Sequence, residues 1–277
     1  MGSTIRFSVC MSVYHGDNAE HFRLAVNSII DQTLPPDEVV LVVDGPVNSN
    51  INEVIDDFCH RVIPFRVIRL DCNSGHAIAR QMGVDNAQYE YIAIMDSDDI
   101  AVPDRFEKQM AYIEAHLEVD ALGGQIDEFI GDSSNVVGTR MVPLSDAGIK
   151  TYLKSRCPMN LMTVMLKKSS VQKVGGFVDW YCEEDYYLWI RMALSGMIFA
   201  NIDECIVKVR VGKEMYRRRG GMKYFKSEAG IQRLMLDNKI ISWPRYAYNV
   251  FGRWCIQVAM PNWLRGVVFR TLFRKGS

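Results

Sequence analysis

Tyr91-Ile92-Ala93-Ile94-Met95-Asp96-Ser97-Asp98-Asp99 joins five apolar residues to three carboxylates within four positions. The apolar run reads as a buried strand, and strands of an α/β sheet end at the crevice where ligands bind. Acids crowded there repel one another unless a cation sits among them. Hard divalent cations take carboxylate and phosphate oxygens, so the stretch points to a metal-bound nucleotide or nucleotide-sugar. Asp96 and Asp98 follow the strand immediately and sit two apart, a spacing that keeps both on one side; they are the expected ligands. Asp99 and Asp104 are expected to cap the next helix, whose first turn carries Pro103 and Glu107.

Outward from this stretch, strands are expected over residues 5–13, 39–43, 65–70 and 91–95, and helices over 20–30, 52–59, 76–86 and 106–116. The run Val39-Val40-Leu41-Val42-Val43 is apolar throughout, as in a parallel strand covered on both faces. Regular alternation of strand and helix implies right-handed crossovers and a doubly wound, mostly parallel α/β sheet. Beyond 116 the rhythm loosens, with strands at 121–128 and 163–167 and a helix at 186–194.

The chain has 277 residues, 48% of them hydrophobic, ample for one compact catalytic domain with an appendage. Seven cysteines without paired metal-ligand spacing argue against a disulfide framework and for a reducing, cytoplasmic setting. No apolar stretch reaches a membrane-spanning length, and the N-terminal run does not read as a signal peptide. Residues 205 to 277 hold 16 Lys and Arg against 3 acids, a surplus of 13; with −1 overall, the first 204 residues carry −14. A division is therefore expected near residue 210, between a catalytic domain (1–210) and a basic helical tail (211–277). The tail interleaves Trp243, Tyr246, Tyr248, Phe251, Trp254, Trp263, Phe269 and Phe273 with arginines, as segments at an anionic membrane surface do. Pro244 and Pro261 are expected to divide it into two helices.

Three further signals carry chemistry. Asp44-Gly45 ends a buried strand, where Asp44 can accept hydrogen bonds from a base or ribose. Asn73-Ser74-Gly75 runs into a helix carrying Arg80, and a glycine-rich helix start with a guanidinium suits phosphate. Glu183-Glu184-Asp185 stand among Trp180, Tyr181, Tyr186, Tyr187 and Trp189. Aromatic neighbours desolvate a carboxylate and raise its pKa, which suits a general base; one of the three suffices, and the others suit a helix N-terminus.

SVCMSVY, SIIDQTLPPDEVVLVVDG, NSGHAIARQMG, YIAIMDSDD and EEDYYLW, in this order, resemble the family 2 glycosyltransferases of the GT-A fold over roughly residues 5–210. VPLSDAGIKTYLKSRCPMNLMTVM, VRVGKEMYRRRGG and KYFKSE are further similar to bacterial enzymes of O-antigen and amylovoran-type exopolysaccharide synthesis. The resemblance implies that Val13 and Tyr14 lie against the base, Asp44 bonds it, and Arg80 lines the nucleotide pocket. It places Asp96 near the ribose and Asp98 on Mn²⁺ or Mg²⁺. Asp185 matches the catalytic base, with Glu184 beside it. Ser12 stands where many relatives have Pro. A late metal-binding histidine has no match; Arg217, Arg218 and Arg219 occupy that region and are expected to meet pyrophosphate. Residues 157–163 are expected to shape the acceptor side.

The implied reaction is inverting transfer of a hexose, Gal or Glc, from a UDP-sugar to a polyprenyl-diphosphate-linked GlcNAc, GalNAc or short oligosaccharide, forming a β linkage. It would take place on the cytoplasmic face of the bacterial inner membrane, with the protein held peripherally and no nucleic acid as partner. The alternatives are transfer from a different nucleotide-sugar into another surface polysaccharide, a phosphatase using the acids as nucleophile and ligand, and a nucleic-acid-binding protein using the tail.

Overall fold

Every residue of β2 (Glu38–Asp44) is buried, because the strand has a neighbour on each side and helices over each face. In the computed structural model, which describes residues 5–60, 63–212 and 221–259, the first half is a run of strand-helix units. These are β1 (Phe7–Tyr14), α1 (Ala19–Ile30), β2, α2 (Ser49–Cys59), β3 (Phe65–Arg69), α3 (His76–Asn86) and β4 (Tyr91–Met95). The four strands are parallel in the order β3-β2-β1-β4. Their C-terminal ends therefore share one edge, the position at which such sheets bind ligands.

Strand residues alternate between two cores. Val9, Met11, Ala93 and Met95 face one core with Phe22 and Ile29 of α1 and Ile51 and Phe58 of α2. Cys10, Ile92 and Ile94 face the other with Ala77 and Val84 of α3. Both faces are covered, as the doubly wound reading expects.

Past β4 the sheet becomes mixed. The elements are β5 (Ile100–Ala101), α4 (Arg105–Ala115), β6 (Ala121–Phe129), β7 (Val136–Arg140), α5 (Asp146–Leu153), β8 (Met165–Lys167), α6 (Lys168–Lys173), α7 (Glu184–Leu194) and β9 (Phe199–Arg210). The strand order continues β4-β8-β6-β9-β5, with β7 on β6. Here β8 is antiparallel to both neighbours while β6 and β9 run parallel. The strand expected over 163–167 is shorter, because Leu161–Thr163 forms a 3-10 turn ahead of it. β9 escapes its sequence pattern: its register shifts opposite Gly124 and Gln125, which turns Asp203 and Glu204 outward in mid-strand.

Two helices follow, α8 (Met222–Asp237) and α9 (Trp243–Trp254), the latter continuing into a π turn at Cys255–Ala259. Pro244 lies in the first turn of α9, where its missing N–H costs nothing; Pro261 lies outside the described residues. α8 presses on the segment before α7: the Trp180 indole donates to the Ser227 carbonyl at 3.1 Å, and a Cβ on Gly230 would stand 2.9 Å from that ring. All seven cysteines are free thiols. No helix among the described residues is long and apolar enough to cross a membrane.

The capping expected of Asp104 is corrected. It stands at the N-cap of α4 without a side-chain cap bond and instead pairs with Lys108 at 2.9 Å. The neighbouring Arg105 is fully buried and ties α4 to the end of β4. Its guanidinium donates to the Ile94 carbonyl at 3.0 Å and to Gln109 Oε1 at 3.0 Å. Gln109 in turn donates to the Leu122 and Thr163 carbonyls at 3.2 and 2.8 Å. Arg105→Met would leave these acceptors dry and unmatched, so urea unfolding should show a loss of roughly 3 kcal/mol. An unchanged midpoint would mean that the network contributes nothing net.

Candidate active site

Parallel strands deliver acids to one edge: Asp17 in the turn after β1, Asp44 at the end of β2, and Asp96, Asp98 and Asp99 after β4. Asp98 is pushed up to about 6, by burial first and then by the charges of Asp96 and Asp17, with Arg210 opposing. Asp17 is also raised, chiefly by burial; it accepts from Ser97 Oγ at 2.8 Å and from the Tyr14 N–H at 3.1 Å. This is concentrated negative charge short of counter-charge, the electrostatic condition for a divalent cation. Among the described residues no group of three His, Cys, Asp or Glu side chains forms a protein-only cage. Mg²⁺ and Mn²⁺ suit such a place, since one or two carboxylates plus substrate phosphates suffice for this kind of ion.

Asp99 does not cap α4, contrary to expectation. It is 2% exposed, and its Oδ1 accepts from the Arg210 backbone N–H at 2.9 Å, fastening the end of β9 to the acidic loop. The Arg210 guanidinium lies 4.6 Å from the centre of the Phe129 ring and donates to the Gly131 carbonyl at 2.8 Å.

Asp44 is nearly buried, and both its oxygens accept backbone hydrogen bonds, from Ser74 N at 2.6 Å and Gly75 N at 3.0 Å. Its carboxylate thus fixes the loop leading into α3, keeping one further lone pair on each oxygen. Gly45 is required beside it: its φ is +83°, and a Cβ there would stand 2.6 Å from Asn73 N. The Val13 side chain belongs to the core, so this strand end presents Tyr14, whose ring meets His15 and His76 edge-on.

Arg80, expected to line the nucleotide pocket, is held between two acids. Its side chain is 11% exposed, and Nη2 meets Asp96 Oδ1 at 3.0 Å while Nη1 meets Glu184 Oε1 at 2.5 Å. Burial alone would lower its pKa, but Asp96 and Glu184 outweigh burial and raise it. One guanidinium thus joins the acidic loop after β4 to the first turn of α7.

The three acids of that turn have three partners. Glu183 accepts from the Tyr224 hydroxyl at 2.7 Å, Glu184 is held by Arg80, and Asp185 accepts from Tyr186 N at 2.7 Å and from the Cys157 thiol at 3.4 Å. Burial first, then Glu184, raises the Asp185 pKa, whereas burial keeps the Cys157 thiol protonated. Beside Asp185 a cavity of about 460 Å³ opens between the start of α7 and the α8–α9 pair, bordered by Arg140, Arg156, Cys157, Tyr248 and Arg253 among others. Arg217, Arg218 and Arg219 lie outside the described residues.

The glycosyl transferase family 2 model matches residues 8–175, which span the parallel strands, the acidic loop and β8. The chain belongs to glycosyltransferase family 2. Within the family it is 35% identical to the amylovoran biosynthesis glycosyltransferase AmsE of Erwinia amylovora, over 84% of this chain and 86% of that one. It is 31% identical to the UDP-Gal:alpha-D-GlcNAc-diphosphoundecaprenol beta-1,3-galactosyltransferase of Escherichia coli, over 98% of both chains. The GT-A-like fold resembles that of S. aureus TarS 1–349 in complex with UDP-GlcNAc, with a TM-score of 0.67 and 17% identity over 91% of this chain and 73% of that one.

Asp17, Ser97 and Arg210 escaped the sequence reading of this family 2 site, and Cys157 was expected only within an acceptor-side stretch, without a contact. A rule that every loop at the C-terminal edge of a parallel strand be searched for acids would have found Asp17; the other three depend on contacts across the sheet. Arg80→Met should lower the unfolding free energy by about 2–4 kcal/mol, because it strands two poorly solvated carboxylates. Adding Glu184→Gln should restore part of that loss. Additive losses in the double variant would show that the bridge does not couple the two segments.

Proposed function

We propose that this glycosyltransferase moves a hexose, Gal or Glc, from a UDP-sugar to a polyprenyl-diphosphate-linked GlcNAc, GalNAc or short oligosaccharide, with inversion to a β linkage. The observation that carries the reading is Asp185. Its carboxylate is raised in pKa and aimed by two donors, and it adjoins the Arg80 bridge to the acidic loop. The acceptor class rests on the name of the E. coli relative, which aligns along almost the whole chain, and the UDP donor on that name and on the UDP-GlcNAc complex of the TarS neighbour.

Asp185 removes the proton from the acceptor hydroxyl as that oxygen attacks the anomeric carbon and the nucleoside diphosphate departs from the opposite face. Tyr186 N and the Cys157 thiol hold the carboxylate for this task. Glu184, neutralised by Arg80, positions Asp185 rather than competing for the proton. Tyr14, Asp44 and the loop it fastens form the wall for uridine, with Asp96 toward the ribose. Asp98, with Asp96, would hold Mn²⁺ or Mg²⁺, which when bound offsets charge on the diphosphate leaving group. The reading includes peripheral attachment to the cytoplasmic face of the inner membrane, supported by α9, whose Trp243, Tyr248 and Phe251 are 64%, 74% and 68% exposed.

Purified protein supplied with Mn²⁺, a synthetic lipid-diphosphate GlcNAc and separate UDP-sugars should yield a product heavier by one hexose. Asp185→Asn should cut turnover by about 10²- to 10⁴-fold while UDP-sugar binding persists, whereas Asp98→Asn should weaken the binding itself. Retained turnover in Asp185→Asn would remove it as the base. The base must be ionised, and its folded pKa is raised above the ordinary 3.8; kcat/KM should therefore fall, as pH is lowered, through a pKa above that value. An acid limb at or below 3.8 would contradict the assignment.

A further inference from the structure

The cavity beside Asp185 is bordered by the acids Asp185, Glu183 and Glu228 and by the bases Arg140, Arg156 and Arg253. Arg253 is already matched, with its Nε 2.9 Å from Glu228 Oε2 and both side chains largely shielded from solvent. Arg140 forms no ion pair among the described residues. Its Nη2 donates to the Cys157 carbonyl at 2.9 Å, which holds the guanidinium at the end of β7 and leaves its other donors for a ligand. The Cys157 thiol bonds Asp185 on the opposite side. A single residue thus links the proposed base to an arginine. About 460 Å³ is within the range of small-molecule sites. α9 contributes Tyr248 and Gly252 to the cavity wall and carries exposed Trp243 and Phe251.

We infer that this cavity is the acceptor site, in which Arg140 binds the diphosphate joined to the acceptor sugar while that sugar's hydroxyl reaches Asp185. This rests on the reading of Asp185 as base and of a lipid-diphosphate sugar as acceptor. The sugar keeps the diphosphate away from the carboxylates, and a guanidinium fork suits two phosphate oxygens. The lipid leaves along α9, whose aromatic face meets the membrane surface. One helix then serves as both a wall of the acceptor site and the contact with the bilayer.

Two variants test this independently. Arg140→Ala removes the anion-binding group. Gly252→Leu fills the space: a Cβ at Gly252 meets nothing within 4 Å, and leucine favours a helix over glycine, so folding should be preserved. Each is assayed with acceptors sharing one lipid and one sugar but bearing a diphosphate, a monophosphate or no phosphate, and binding of each acceptor is measured directly by calorimetry. Wild type should prefer the diphosphate. Arg140→Ala should raise KM for the diphosphate acceptor by about tenfold or more and erase the preference, with KM for UDP-sugar unchanged; Arg140→Lys should fall between. Gly252→Leu should raise KM for all three acceptors. A wild-type diphosphate preference retained by Arg140→Ala, or acceptor KM unaffected by Gly252→Leu, would overturn the inference. Diphosphate-sugar binding lost in Arg140→Ala, but with no transfer by wild type, would uphold the cavity as a binding site and sink the transferase reading.

Discussion

One arginine holds the two halves of the site together. Arg80 is carried by α3, and its guanidinium closes two ion pairs, to Asp96 after β4 and to Glu184 at the start of α7. Like charges would otherwise drive these segments apart, and neither acid is well enough solvated to stand alone. The close seating of α3 makes the bridge possible. Gly83 lies so near β1 that an added Cβ would stand 3.3 Å from Cys10 Cβ, which brings the helix down onto the strands and Arg80 under the loop. The separation between the acids after β4 and Asp185 is therefore set by the scaffold.

The same chemical group is tuned to several ends by its surroundings. Asp44 spends its charge on two backbone N–H groups and becomes a structural clamp, and Asp99 does likewise for the end of β9. Glu183 and Glu184 are matched by a hydroxyl and a guanidinium. Asp98 and Asp185 are left with raised pKa values, both through burial first and then through neighbouring acids, Asp96 and Asp17 for Asp98 and Glu184 for Asp185, while the Cys157 thiol opposes the rise at Asp185. Carboxylates whose environments push them apart are the expected signature of divided roles.

Much of this was legible in the chain because buried parallel strands announce themselves as apolar runs ending in acids, as at residues 39–44 and 91–99. The loosening after residue 116 is a real change of architecture, where the sheet becomes mixed. β5 and β7 are two and five residues long, too short for a period to emerge, and the register shift in β9 places Asp203 and Glu204 where alternation fails. Asp17 was invisible as a lone acid in a turn. The stretch from 157 to 163 was expected on the acceptor side, but the bond from Cys157 to Asp185 spans 28 residues and depends on how α5 and α7 pack. For Arg80 a guanidinium at a glycine-rich helix start was evident, while its burial and its two acid partners were not.

The most direct test of the central claim is the anomeric configuration of the product, read from proton coupling after transfer from an α-linked UDP-hexose to a lipid-diphosphate sugar. Single displacement assisted by Asp185 predicts a β-glycoside in wild type, formed about 10²- to 10⁴-fold more slowly in Asp185→Asn. An α-linked product would contradict the account, since it would require a second displacement for which Asp185 has been given no role.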